Sequence, residues 1–504
     1  MNFSNRTILL FILLTILSLG FASCEQEIVT EKPPQENNEG NENEGDGNEG
    51  DGNEGDENQG GNENQGGDEN GGTIDLAGVE YVWDWSVIPE ITIEVPLDQW
   101  NQFLANYDSN NRTKEYVHCN VTYKKGNDVF KINDAAMRMR GNTSRRRPEN
   151  GGSTHVAGNT DWSHFHIGRN LRKYQKDADH EIHGIRKMNL KWFKDDPVYA
   201  REVFCLDLFK REGIWTAANE IYCRLWIHVK GDPKPAYYGV YGLIEPYDNK
   251  FIERREGLFG SATGNLWKCT YVNQPADLRS TSASFGEDNN VNEYTYELKE
   301  TTTTFAEAED QLKDFILKLN GKSDDSFKKW IQEVCDVELL MKTYAINVAV
   351  GMWDDMWCNG NNYYLYFNST DRFNYKVFLL PYDYDNTLGT GLNDFGNPAT
   401  KNPLHWGDKG ILMERMMKFD EFKQIYVDEL KRLVNPSNAL MDQSSASERI
   451  RQWQDKIRGY VANDTGEDMS IEDRCAGWGN FQFSVTGSSN NYFAIKSQTI
   501  NNLP

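Results

Sequence analysis

Between residues 337 and 350 the apolar side chains Leu339, Leu340, Tyr344, Ala345 and Val348 recur close to the i, i+3, i+4 spacing of one buried helix face. The pattern predicts a helix that stops at Gly351. A polar loop over 352–362 follows, in which Asp354, Asp355, Asn359, Asn361 and Asn362 stand among Trp353 and Trp357. The aromatic run 363–367, a turn at 368–371 and the run 375–380 then read as a β-hairpin. Asp383 and Asp385 stand at its end.

Upstream, the alternation of Ile91, Ile93 and Val95 with polar residues predicts a strand over 91–95, followed by a short helix over 97–107. Further strands are expected over 117–123, 129–132 and 135–140. Val203, Phe204, Leu206, Leu208 and Phe209 give residues 195–213 one apolar helix face, with Asp196-Pro197 at its start. Residues 222–229 and 237–245 read as a hairpin turned at 230–233. Residues 270–304, rich in Asn, Ser, Thr and Gly, read as a surface insertion or lid. Helical periodicity returns over 305–319, 325–350, 411–417, 419–433 and 446–461, with Met and Leu stripes that a core explains. About 430 residues from position 74 onward suffice for one elaborate domain with two lobes.

Composition changes the picture only at the N-terminus. Arg6, an apolar run over 8–21 and the small residues Ala22 and Ser23 before Cys24 form a secretory signal, too short to remain as a membrane span. The segment resembles the lipobox of bacterial lipoproteins, with Phe21 where Leu is usual, which implies an acylated Cys24, a membrane anchor and an outer-membrane or cell-surface location. Residues 25–73 hold 16 acidic residues and one Lys, so −15 of the chain's formal charge of −24 belongs to this stretch. With almost no apolar side chains it cannot offset its own chain entropy and reads as a disordered tether, reaching about 35 to 40 Å from the anchor. The acidity argues against nucleic acid as a partner. Besides Cys24 there are seven cysteines, and none forms a C-x-x-C pair, so the spacing implies neither a zinc site nor a disulfide framework.

The chemistry concentrates in the acidic and amide residues. Phosphate-bound magnesium takes hard oxygen ligands and needs one or two carboxylates beside the phosphates, and a hairpin returning Asp383 to the Asp354 loop would provide them. Arg140-Gly141-Asn142-Thr143-Ser144 after a strand offers a fork and close backbone amides to an anion. His164, His166, His180 and His183 read as hydrogen-bonded side chains more readily than as metal ligands. No P-loop, G-x-S-x-G or G-x-G-x-x-G fingerprint occurs.

Trp353-Asp354, Asn361-Asn362-Tyr363-Tyr364-Leu365-Tyr366 and Pro381-Tyr382-Asp383-Tyr384-Asp385-Asn386-Thr387-Leu388-Gly389 resemble the W-D, N-Y-Y-L-Y and P-W-D-x-D-x-x-x-G motifs of the CotH family, spore-coat-type atypical kinases. Tyr382 stands where that family usually carries Trp. The R-G-N-T-S turn, Arg201-Glu202 after Asp196-Pro197, and the Gly239-Val240-Tyr241 strand leading to Glu245 fall in the family's order.

The resemblance implies an α+β, atypical kinase-like fold, with antiparallel strands in a first lobe over about 74–300 and a mostly helical second lobe over about 305–504. It implies transfer of phosphate from ATP to Ser or Thr of a protein substrate, with magnesium or manganese. Asp354 would orient the hydroxyl, with Asp355 its rival. Asn362 and Asp383 would hold the metal, with Asp385 a rival or partner of Asp383. Arg140 and Glu245 would line the nucleotide site. The family's lysine-bearing strand corresponds to 162–167, which has no lysine, and Lys191 is the stand-in. The other reading is a non-catalytic surface scaffold that binds a protein or a glycan, for which exposed loop tryptophans would be the sign.

Overall fold

The computed structural model describes residues 77–142, 144–149, 163–193, 196–289, 293–391, 395–465, 470–475 and 481–504. The signal segment, Cys24 and the acidic tether lie outside the described residues, as do Thr143, Trp162 and Asp195.

Alternating burial builds a closed barrel. β1 (Glu90–Val95) turns Ile91, Ile93 and Val95 inward and leaves the residues between them half-buried. β2 (Val117–Lys125) and β3 (Asp128–Met139) continue the sheet, followed by β4 (Ile167–Asn170), β5 (Lys187–Lys191), β6 (Glu220–Val229) and β7 (Ala236–Ile244). The order round the barrel is β1-β2-β3-β4-β5-β7-β6. Every pairing is antiparallel except β1 with β6. Ile93, Val121, Met137, Met188, Cys223 and Leu243 fill the interior, each apolar side chain contributing about 1.5 to 3 kcal/mol of burial. The helix Leu97–Ser109 adds Trp100, Phe103 and Leu104 to the same core.

Two strands expected over 129–132 and 135–140 are one strand, β3. Asp134 sits at φ +51° and the β2–β3 register shifts between Cys119 and Val121, so the break in alternation is a bulge and not a turn. The helix expected from residue 195 spans Arg201–Arg211, because the Asp196 carboxylate accepts the backbone N–H groups of Ala200 and Arg201 and holds the preceding residues out of the helix.

Residues 245–248 connect the barrel to a second body. Here the sheet runs β12-β11-β8-β10-β9, from β8 (Asn265–Cys269), β9 (Phe285–Glu287), β10 (Tyr296–Thr301), β11 (Tyr363–Phe367) and β12 (Val377–Pro381). The stretch 270–304, read from sequence as a surface insertion, thus carries two strands, and β8 lies between β10 and the hairpin. Their apolar residues are few, but Tyr296 and Trp267 are fully buried against the helical core.

Phe305–Gly321 begins with a capping box between Thr304 and Glu307. Residues 325–350 break into Asp324–Val334 and Val337–Ala349, because the Asp336 carboxylate caps the second helix through the N–H of Leu339. Nine residues of Val337–Ala349 are buried, Thr343 and Asn347 among them, so this helix runs through the core. Asp420–Val434, Gln443–Ile457 and Tyr492–Asn501 pack the same core. The fold is mixed α+β, and no helix among the described residues is long and apolar enough to cross a membrane.

Candidate active site

The barrel and the second sheet face each other across a cleft of about 760 Å³. Residues from β3, β4 and β5, the connector, the 352–362 loop and the end of β12 all line it.

The helix Val337–Ala349 delivers the chain to Gly351, at φ +76°, where any Cβ would strike the Tyr492 hydroxyl. The two aspartates that follow then part company. Asp355 is buried and points back into the fold: it accepts from Cys358 N–H at 2.7 Å and from the Asn347 amide, whose oxygen accepts from Tyr384 at 2.9 Å. Burial pushes its carboxyl up to about 7. Asp354 points into the cleft. Its carboxylate accepts from three amides, Asn359 at 2.6 Å, Asn361 at 2.9 Å and Asn362 at 3.0 Å. Burial, and next to it the charges of Asp383 and Asp385, push it up to about 6 against those hydrogen bonds. The sequence left these neighbours as rivals; the structure puts Asp354 in the cleft and makes Asp355 a brace between helix, loop and hairpin.

Lys191, on β5, is the centre of the charge network. Its ammonium donates to Glu202 at 2.6 Å, to Asp383 at 2.5 Å and to Asp385 at 3.1 Å. Glu202 opens the helix Arg201–Arg211 and is 8% exposed; its other oxygen accepts the N–H of Tyr384 at 3.0 Å. Burial and the neighbouring aspartates push Glu202 up to about 7 in spite of Lys191. Asp383, in the left-handed region at φ +64°, is also pushed up by burial, but Lys191 and Arg140 outweigh this and hold it below the usual carboxylate range. Asp385 moves the other way, raised by burial and by Asp383. Thus β5, a helix and the end of β12 converge on one ammonium group.

Glu245 opens the connector and is fully buried. It takes bidentate hydrogen bonds from Arg255 at 2.9 and 3.0 Å and further ones from Arg254 at 3.2 Å and the Asn219 amide at 2.7 Å. Burial would raise its carboxyl, and the two arginines hold it low. Its oxygens are thereby occupied within the protein, so its side chain fixes the connector. Tyr247 adds a second tie through its hydroxyl, which donates to the carbonyl of Pro381 at 2.6 Å.

Arg140 reaches the cleft and donates to the hydroxyl of Tyr382 at 3.2 Å. That bond exists because Tyr and not Trp stands at 382. Asn362, at φ +53°, keeps its amide on Asp354 and its carbonyl oxygen without a partner among the described residues. Asp383, Asp385 and Asn362 are hard oxygen donors of the kind magnesium takes, but Lys191 now lies on both carboxylates. Among the described residues no group of three or more His, Cys, Asp or Glu side chains is arranged to hold a metal ion. His164 bonds to the carbonyl of Tyr238 at 2.8 Å, and Nδ1 of His166 accepts the N–H of Trp192 at 3.0 Å. The loop tryptophans Trp353, Trp357 and Trp406 are buried, so they offer no stacking surface to a glycan.

Sequence reasoning missed Arg138, Tyr116 and Lys268 on the cleft walls. Arg138 was findable, since the spacing Arg138-Met139-Arg140 on a strand puts both arginines on one face.

These features define a mixed α+β protein with a carboxylate- and lysine-lined cleft between a barrel and a sheet-and-helix body. The family described as CotH kinase protein matches residues 137–496, and the chain belongs to that family. No curated protein matches the chain.

Proposed function

We propose that this protein is an atypical kinase that transfers the terminal phosphate of ATP to Ser or Thr hydroxyls of a protein substrate. The observation that carries the proposal is the Lys191 ammonium held between Glu202 and Asp383, with Asp354 on the opposite wall of the same cleft. Protein kinases need a strand lysine paired to a helix glutamate, an aspartate that holds magnesium and a further aspartate at the acceptor hydroxyl. The chain order supports it too. Strand β3, the R-G-N turn, β4, lysine-bearing β5, the Glu202 helix, β6, β7 and the connector follow the sequence of parts in a kinase first lobe, with the barrel as that lobe and the second body as the other.

In this reading the connector backs the base, and Lys191 and Arg140 neutralise the phosphates. Magnesium, or manganese, when bound by Asp383, Asp385 and Asn362, supplies charge neutralisation on the phosphate oxygens. Asp354 is held by three amides so that one orientation faces the acceptor. It takes the hydroxyl proton as the new phosphorus–oxygen bond forms and the bond to the departing diphosphate breaks. Its elevated pKa suits a base working near neutral pH.

Cys24 acylation and the acidic tether would hold the catalytic unit at the membrane surface on the secreted side. The test is transfer of labelled γ-phosphate to a generic Ser/Thr-rich acceptor protein by the full-length chain. Activity that needs magnesium and disappears in Asp354→Asn and Asp383→Ala is the expected result. Absence of transfer by the wild type with a panel of acceptors, and of ATP binding, would move the assignment to a surface scaffold.

A further inference from the structure

Among the described residues the large exposed apolar side chains lie away from the cleft except Tyr271, which is 46% exposed and stands on its wall. The other cleft tyrosines have partners. Tyr116 lies under Arg138 and Lys173, Tyr364 and Tyr382 pack edge to face, Tyr247 donates to the carbonyl of Pro381, and the hydroxyl of Tyr294 accepts from Asn289. The ring of Tyr271 meets no other ring and no cation among the described residues, and its hydroxyl has no hydrogen-bond partner there. An aromatic side chain left open in a cleft offers a large apolar contact at little cost in conformational entropy.

The backbone of Tyr271 is fixed to the Asp354 loop. β8 ends opposite Tyr363 at Cys269, and the chain continues alongside the loop that precedes β11. There the N–H of Tyr271 donates to the Asn361 side-chain oxygen at 2.8 Å, and the Asn361 amide donates to Asp354 at 2.9 Å. Two hydrogen bonds and one amide group thus separate Tyr271 from the carboxylate, at most about 8 Å. Further along, the N–H of Ala276 donates to the carbonyl of Gly360 at 2.7 Å, and the hydroxyl of Tyr363 donates to the carbonyl of Ala276 at 2.7 Å. Gly360, at φ +65°, lets the two segments touch, since a Cβ there would stand 2.4 Å from Cβ of Pro275. Side chains on one face of an extended segment recur about every 7 Å, so a segment whose hydroxyl meets Asp354 carries its neighbouring side chains past Tyr271. Charges on this wall are matched: Lys114 and Lys299 each bridge Asp288 and Glu297, and Glu293 lies 3.6 Å from Arg112.

We propose that Tyr271 selects the acceptor: the protein segment that enters this cleft carries an uncharged apolar or aromatic side chain within two positions of its Ser or Thr, and that side chain packs on the Tyr271 ring. Calling the segment an acceptor rests on the kinase reading; the contact itself stands on the open ring and its tie to Asp354. The stretch 270–276 thereby acts on the substrate side of the site, and Asn361 couples it to the base.

The experiment uses the full-length chain and a set of fluorescein-labelled peptides with one central Ser, in which the two positions on either side are Gly, Leu, Phe, Asp or Lys. Each peptide is assayed for phosphate transfer and, with Ala in place of Ser, for binding by fluorescence anisotropy, which needs no transfer. Leu- and Phe-flanked peptides are expected to be preferred about tenfold over the others. Tyr271→Ala should remove that preference by raising the peptide KM and Kd about tenfold, with the ATP KM unchanged, whereas Tyr271→Phe should keep it. The side chain is exposed, so an unchanged melting temperature is expected in both variants. A flat or charge-led preference, a Leu and Phe preference that Tyr271→Ala leaves intact, or no peptide binding at all overturns the assignment, even where wild-type phosphate transfer succeeds. Tyr271-dependent binding of the Leu- and Phe-flanked peptides, in a chain that transfers no phosphate, keeps the contact and counts against the kinase reading alone.

Discussion

Replacing Lys191 by Met tests whether one ammonium group organises the cleft. The substitution leaves Glu202, Asp383 and Asp385 together without their cation, with Glu220 buried nearby. Removing one partner of a buried pair costs about 3 to 5 kcal/mol. Asp383 and Asp385 are 35% and 37% exposed, so solvent screens their share, and the 8% exposed Glu202 sets the scale at about 3 kcal/mol. An entropy of unfolding near 2.1 cal/mol/K per residue over roughly 430 residues converts this to a fall in Tm of about 3 °C. The pH dependence is the sharper readout. The Glu202 carboxyl is raised in the fold from 4.5 to about 7, so its ionisation opposes folding increasingly as pH climbs from 4.5 to 7, and the opposition is constant above. Lys191 offsets part of that; its own pKa is raised, so its contribution is fully present below 10.5. Without it the Glu202 pKa rises further. The Tm gap between wild type and Lys191→Met should therefore be widest near pH 8 and shrink toward pH 5, where the carboxylates take up protons. Scanning calorimetry across that range measures it. A gap that is absent at pH 8, or that widens on acidification, would refute the charge assignment.

Two further outcomes follow from the contacts of the cleft and connector, and a third from the sequence at Cys24. Asp355→Ala leaves the Asn347 amide and the Cys358 N–H without their acceptor and should cost about 2 to 4 kcal/mol, read by denaturant unfolding, whereas Asp354→Asn should leave stability within about 1 kcal/mol and abolish transfer; equal stability losses would contradict the division of roles. Glu245→Ala strands Arg255 and Arg254 in a buried site and should cost about 3 to 5 kcal/mol, lowering Tm by a few degrees without altering the pH profile of any activity. Cys24→Ser should move the protein from the membrane fraction to the soluble fraction after cell fractionation, and unchanged membrane retention would remove the lipid-anchor proposal.

The elements legible in the sequence were those with strong local periodicity. The 363–367 and 375–380 runs, the strand at Ile91, Ile93 and Val95, and the helices around Tyr344 and Trp453 could be read because burial of one face repeats at a fixed interval. The motif order around Asp354, Asn362 and Asp383 was readable for the same reason that it is local. What escaped depends on long-range pairing. Nothing near Asn265 or Tyr296 tells that β8 pairs with a strand almost a hundred residues later, or that the polar 270–304 stretch contributes two strands. The separation of Asp354 from Asp355 depends on the Asn347 amide eight residues back in the preceding helix, and the partners of Lys191 come from positions 202, 383 and 385. Spacing on one strand cannot reveal such convergence. Asp134 and the late start of the Arg201 helix were hidden by backbone details, a left-handed residue and an aspartate that takes two N–H groups, which apolar patterning does not record.

The most direct measurement is calorimetric titration of the full-length chain with ATP, with and without magnesium, beside Asp383→Ala. The expected result is saturable binding that tightens with magnesium and loses that dependence in the variant, because the proposed function gives Asp383, now paired with Lys191, to the metal. Binding with the same magnesium dependence in Asp383→Ala, or no binding at millimolar nucleotide, would contradict a kinase site in this cleft.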